Sequence, residues 1–234
     1  MISAQIQKEY FQRYLPKPLF EALNQNKEFE GYRDKVENTV ADAYVAFVDI
    51  SSFSLRIGGW SVDEVKNYLG EYYKCIFKLI YKHHGQIDKI MGDGIVVFFS
   101  DIFGFDYPNG AGNACLNFCK ECIKSLEDTC YEAKAAIASG SMYFCKTGVE
   151  EIYEEISCIG HPMTVVFRLE NEASANEIWM LASDSLAQNM ETKDGWFSHL
   201  EEVYLKGVEE SEAIVYQYNS LTWDAGQWTQ RITT

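Results

Sequence analysis

Short, dense apolar runs alternate along the chain with longer stretches in which apolar residues recur every three or four positions, the pattern of buried strands separated by amphipathic helices. Tyr44 to Val48 is nearly unbroken in its hydrophobicity and predicts a strand covered on both faces, from about 43 to 49. A helix is predicted from about Val62 to His83, opened by Ser61 and Glu64 in capping-box spacing. Gln86 to Phe99, QIDKIMGDGIVVFF, reads as a β-hairpin with turn residues Met91-Gly92-Asp93-Gly94 leading into the apolar run Ile95 to Phe99. After a Gly/Pro/Asn-rich loop around 103–112, NACLNFCKECIKSL has helical periodicity, and a strand follows from about Lys134 to Cys145. Ser157 to Gly160 is a short extended piece, and His161-Pro162 leads into a helix through Glu172. Ile178 to Leu181 reads as a strand and Ser183 to Met190 as a short helix, with last strands expected near Glu202 to Leu205 and Ala213 to Tyr218. The order β-α-β-β-α-β, with additions, predicts an α+β, ferredoxin-like fold: an antiparallel sheet with helices packed on it.

Residues 1–40 read as an N-terminal helical extension, with a helix from Gln5 to Tyr14 and breakers at Pro16 and Pro18. A single domain over 41–220 and a C-terminal tail over 221–234 complete the expected organisation. With 234 residues and 47% hydrophobic composition, one core suffices. The apolar runs are far shorter than the ~20 residues of a membrane span, and MISAQIQKEYFQ lacks a signal-peptide core, so a cytoplasmic protein with no membrane partner is expected. A net charge of −15 argues against nucleic-acid binding, which rests on clustered Lys and Arg. Any phosphate ligand would have to be met by a few local cations or by metal.

The seven cysteines are expected as reduced thiols. Cys115, Cys119 and Cys122 have the C-x3-C-x2-C spacing that resembles the cluster-binding triad of radical S-adenosylmethionine enzymes, but the same positions share one face of a helix and read as small buried residues. His83 and His84 fall at a helix end, where the macrodipole favours them.

Two acidic residues change this picture. Asp49 ends the buried strand and Asp93 sits at the hairpin tip, where an Asp beside Gly also suits a tight turn for its own sake. Two carboxylates about 4 Å apart would repel by roughly 4 kcal/mol at an effective dielectric of ~20. A divalent cation between them converts that repulsion into binding.

Four stretches carry a family resemblance. FVDISSF and KIMGDG resemble the two metal motifs of class III nucleotidyl cyclases, IGHPMTVVFRLE resembles their arginine-bearing segment, and YLKGVEE resembles their phosphate-binding lysine motif, in the family's order across about 43–218. The resemblance implies that Asp49, Asp93 and the carbonyl of Ile50 hold two Mg²⁺ or Mn²⁺ ions per site. It places Arg168 at the α-phosphate, Lys206 at the terminal phosphates, Lys89 and Ser157 at the base-reading positions, and Thr164 where an asparagine usually meets the ribose. Arg168 could otherwise pair with Glu170 or Glu172, and Lys206 could be an ordinary strand-end lysine. The family builds each site from two protomers, which implies a head-to-tail homodimer acting on a nucleoside triphosphate.

The base-reading pair departs from the usual adenylate and guanylate patterns. An ammonium at Lys89 cannot accept from the guanine N1 and exocyclic amine, which argues against GTP. The substituted Ser157 and Thr164 make the chain similar to the bacterial pyrimidine cyclases of Pycsar anti-phage systems, whose cyclic UMP or cyclic CMP is read by a separate effector protein. Lysine can donate to a uracil carbonyl, which favours UTP over CTP, and Phe53 and Phe167 are candidates for narrowing the pocket or for the core. The alternatives are an adenylate cyclase, a cytidylate cyclase and, from a different class, a silent nucleotide-binding or dimerisation module. The last is disfavoured because both aspartates, Arg168 and Lys206 are present.

Overall fold

The computed structural model describes residues 38–127, 129–149, 153–191, 198–200, 202–209 and 212–217. The expected helix at Gln5 to Tyr14, nearly all of the N-terminal extension and the tail at 221–234 lie outside the described residues.

The long apolar run forms β1 (Thr39–Ile50), which is central, pairing antiparallel with β3 (Gly94–Phe99) on one side and β4 (Ala133–Val149) on the other. β2 (Gln86–Met91) closes the hairpin with β3 at one edge of the sheet. The path β2-β3-β1-β4 is the ferredoxin-like order expected from the sequence. It continues through β6 (Glu177–Leu181) and β8 (Ala213–Gln217) to β7 (Ser198–Leu200), while β5 (Tyr153–Ile159) pairs with the far half of β4. β6 meets the near half in a short parallel contact, Ala135 opposite Ile178 and Ala136 opposite Trp179.

Alternate residues of β1 feed two cores, which is why its sequence is apolar throughout. Ala46, Val48 and Ile50 face α2 (Val62–Lys82) and α3 (Ala111–Leu126), against residues such as Tyr72, Ile76, Leu116 and Ile123. Ala43, Val45 and Phe47 face α4 (His161–Glu172), against Val165, Val166 and Leu169. The capping box at Ser61 and Glu64 is formed in full. Cys115, Cys119 and Cys122 are buried on α3. His83 closes α2 with its Nε2 3.1 Å from Glu121 Oε2. Two short α-helices, α1 (Phe53–Arg56) and α5 (Ser185–Glu191), and a 3-10 turn at Asp101–Phe103 are also formed among the described residues.

One expected strand is displaced. The segment near Glu202 to Leu205 is not a strand; the partner of β8 is β7, with Ser198 opposite Val215 and Leu200 opposite Ala213. Leu205 is instead buried against the α4 side and closes a turn with Val208, whose N–H donates to its carbonyl at 3.0 Å. Among the described residues no helix is long and apolar enough to cross a membrane.

Candidate active site

Parity along β1 turns Asp49 to the same face as Phe47, the face that α4 covers. The hairpin brings Asp93 to the same place. Its two-residue turn needs a positive φ at the first position, and Gly92 supplies it at 66°, so Asp93 is not required by backbone conformation. The Tyr73 hydroxyl, reaching across from α2, donates to the Gly92 carbonyl and ties the tip down. Gly94 then starts β3 in close quarters. A Cβ there would stand 2.6 Å from Phe47 Cε2 and 3.3 Å from Asp49 Oδ1.

Asp49 and Asp93 are hydrogen-bonded to each other, and the Asp93 carboxylate also accepts from the backbone N–H of Ile50. Burial, then the hydrogen bond and charge of Asp93, then Glu170, push the Asp49 carboxyl up to about 8. Asp93 is raised too, chiefly by burial, although the hydrogen bonds it accepts work against this. One proton is therefore shared between two carboxylates near neutral pH.

The third carboxylate, Glu170, is offered by the sequence only as a possible partner of Arg168, and Lys134, with which it pairs instead, is not singled out there. Lys134 lies opposite Asp49 in the β1/β4 register, and its Nζ is 2.7 Å from Glu170 Oε1 and 3.2 Å from the Glu170 carbonyl. Glu170 is thus engaged by Lys134 from the sheet. The signal available was a single cation in the otherwise small and apolar run AKAAIA. Among the described residues no set of three or more His, Cys, Asp or Glu side chains gathers as a metal site, but the pair Asp49 and Asp93 offers oxygen ligands, the type that suits Mg²⁺ or Mn²⁺. Asp49 and Asp93 would hold the ions, with the carbonyl of Ile50, the residue after Asp49, beside them.

The cations that the family resemblance assigns to the phosphates, Arg168 and Lys206, lie elsewhere on the protomer. Thr164 is exposed on α4 and Arg168, half-buried, follows one turn later on the same face. Arg168 and Glu170 are two positions apart, about 200° around the helix axis, so with Glu170 only 6% exposed and turned to the sheet, Arg168 points away from it. Lys206 is exposed in the turn after Leu205. A cleft of about 640 Å³ opens between that turn and the N-terminus of α4, lined by Ser139, His161, Pro162, Asp184, Gly207 and Val208. It lies at the opposite end of α4 from the carboxylates.

Lys89 is on β2, with Nζ 3.2 Å from Asp88 Oδ2. Ser157 is on β5 opposite Cys145, and its side chain lies outside the described residues. Phe53 opens α1 with its ring stacked on Tyr68, centroids 6.0 Å apart, among the residues packed on the α2/α3 side. Phe167 meets Phe47 edge-on at 4.9 Å beside the other core.

No family model matches the chain. An uncharacterised protein of Mycobacterium bovis is 26% identical over 169 residues, covering 72% of this chain and 31% of that relative. The chain thus spans less than a third of the length of the curated relatives it matches. The adenylyl cyclase CyaB from P. aeruginosa superposes with a TM-score of 0.67 at 20% identity, covering 79% of this chain and 97% of that one. The guanylate cyclase domain of RhGC from Catenaria anguillulae, solved in complex with GTP, superposes with a TM-score of 0.65 at 14% identity, covering 76% and 98%. The chain has the fold of class III adenylyl and guanylyl cyclase catalytic domains.

Proposed function

We propose that the chain is a nucleotidyl cyclase that converts a nucleoside triphosphate to its 3′,5′-cyclic nucleotide and pyrophosphate. The observation that carries this reading is the convergence of Asp49 and Asp93, distant in sequence, into one proton-sharing pair on a cyclase-type fold. Asp49 and Asp93 would hold divalent ions, Mg²⁺ or Mn²⁺, whose chemistry when bound would be activation of the ribose 3′-hydroxyl and charge stabilisation on the leaving pyrophosphate. Asp49 must release its proton to take up that role. Arg168 then meets the charge developing on the α-phosphate, which for a preorganised donor is worth roughly 10² to 10³ in rate. Lys206 holds the terminal phosphates, and Thr164 lies within one helical turn of Arg168 for the ribose.

Arg168 and the carboxylate cluster occupy opposite sides of α4, so one protomer does not close a site around a triphosphate. A head-to-tail homodimer does, the carboxylates of one copy facing the Arg168 and Lys206 of the other. The same pairing brings Lys89 and Ser157 to the base. Lys89 offers only donors, which disfavours guanine and suits a uracil carbonyl, so UTP is the proposed substrate and cyclic UMP the product, as in bacterial anti-phage signalling through a separate effector. A cytosolic setting accords with such a signal.

Purified protein incubated with Mn²⁺ and each of ATP, GTP, CTP and UTP, with cyclic products identified by mass, tests the proposal. Cyclic UMP as the main product is expected. Cyclic AMP as the main product would replace the pyrimidine reading with an adenylate cyclase, cyclic CMP would move it to CTP, and no product from any of the four would leave a silent nucleotide-binding module.

A further inference from the structure

The hairpin carries a second acidic residue that the reaction does not use. Register along β2 and β3 runs from Ile87 opposite Val97 to Lys89 opposite Val96, so Asp88 is the extra residue of a β-bulge. On a regular strand Asp88 and Lys89 would point to opposite faces. Here the bulge lays them side by side, Lys89 Nζ 3.2 Å from Asp88 Oδ2.

Their exposures differ sharply. The Asp88 side chain is 6% exposed and the Lys89 side chain 40%, so the carboxylate lies beneath an ammonium that reaches toward solvent. Cys158 of β5 is the buried neighbour, and its thiol feels the charges of both, Asp88 raising and Lys89 lowering its ionisation point. Cys158, which feels both charges, is next in sequence to Ser157, the other base-reading position. The ammonium is held within ion-pair distance of Asp88, and its exposed side leaves donors for an acceptor in solvent or on a ligand.

We propose that Asp88 is a positioning residue for base selection: it anchors Lys89 through the bulge, so that the ammonium presents a fixed donor to a carbonyl or ring-nitrogen acceptor on the nucleobase edge. This rests on the cyclase reading, in which Lys89 meets the base. A tethered lysine rejects an edge that presents an amine where the acceptor should be, as cytosine does at position 4. An untethered one swings aside and discriminates less.

The test compares the wild type, Asp88→Asn, Asp88→Glu, Lys89→Ala and the double variant, measuring steady-state turnover and equilibrium binding of ATP, GTP, CTP and UTP with Mn²⁺. Asp88→Asn is expected to raise KM for the preferred triphosphate about tenfold and to narrow its advantage over the others by a similar factor, with kcat changed less than about threefold. Asp88→Glu, which keeps the charge, is expected to lie between the two. In the Lys89→Ala background, Asp88→Asn should change the preference no further. Unchanged preference in Asp88→Asn overturns the inference, as does an equal loss for all four triphosphates or an additive double variant. A wild type that cyclises none of them sinks the cyclase reading separately, and a binding preference that survives Asp88→Asn then sinks the role of Asp88 on its own.

Discussion

Asp49 keeps a proton that an ordinary aspartate would lose near pH 4, and this has measurable consequences. Its carboxyl is raised in the folded protein from 3.8 to about 8, so over that interval the native state binds more protons than the unfolded chain. The stability it contributes is full below about pH 4 and is lost as pH rises through about 8. Urea unfolding of metal-free protein at a series of pH values should therefore show stability falling from pH 5 to pH 8, with a flatter profile in Asp49→Asn; a wild-type profile that rises across this window would contradict the shared proton. The cation must displace the same proton, so Mn²⁺ affinity should increase with pH over the same window and binding should release protons. Asp93→Ala is expected to abolish cyclic-nucleotide formation while leaving the fold and the dimer intact by size-exclusion chromatography. At this scale the sequence displayed Asp49 and Asp93 through their motifs. It hid the Lys134–Glu170 pair, because only the packing of α4 across β4 brings those residues together.

At the scale of the element, the carboxylates are placed by two strands and a turn that tolerate little adjustment. β1 is paired along both edges, and the hairpin tip is held by Tyr73 and squeezed at Gly94. Gly94→Ala would push a methyl into the Phe47 ring, which itself rests on Phe167, and toward Asp49 Oδ1. The expected cost is about 1–3 kcal/mol of stability by urea denaturation, together with weaker Mn²⁺ binding by titration. Unaltered binding would show that the pair adjusts freely. Both strands and both turn glycines were legible because burial on two faces and turn chemistry leave strong local marks. The last strand before β8 was not: Glu202 to Leu205 has the composition of a strand, but Leu205 is drawn into the α4 core and β8 takes its partner from Ser198–Leu200 instead.

For the whole molecule, the proposed division of each site between two copies can be tested without a structure of the dimer. Asp93→Ala and Arg168→Ala proteins should each be nearly inactive. Mixed in equal amounts and allowed to exchange subunits, they form heterodimers with one intact site and one doubly damaged site, and activity should recover to about a quarter of the wild-type value. No recovery despite demonstrated exchange would place both residues in the same half-site. The ferredoxin-like element order was readable from the sequence, whereas the opposed directions of Arg168 and Glu170 emerge only once burial shows which side of α4 meets the sheet. The bulge at Asp88 has one more effect at this level. Among the described residues β2 is a terminal strand of the sheet, and the bulged residue interrupts the regularity of its outer row of amide and carbonyl groups. Among the described residues that edge therefore offers a neighbouring chain a broken rather than a continuous template for edge-to-edge growth. Such a strand discourages fibrils while leaving the molecule free to associate through its faces.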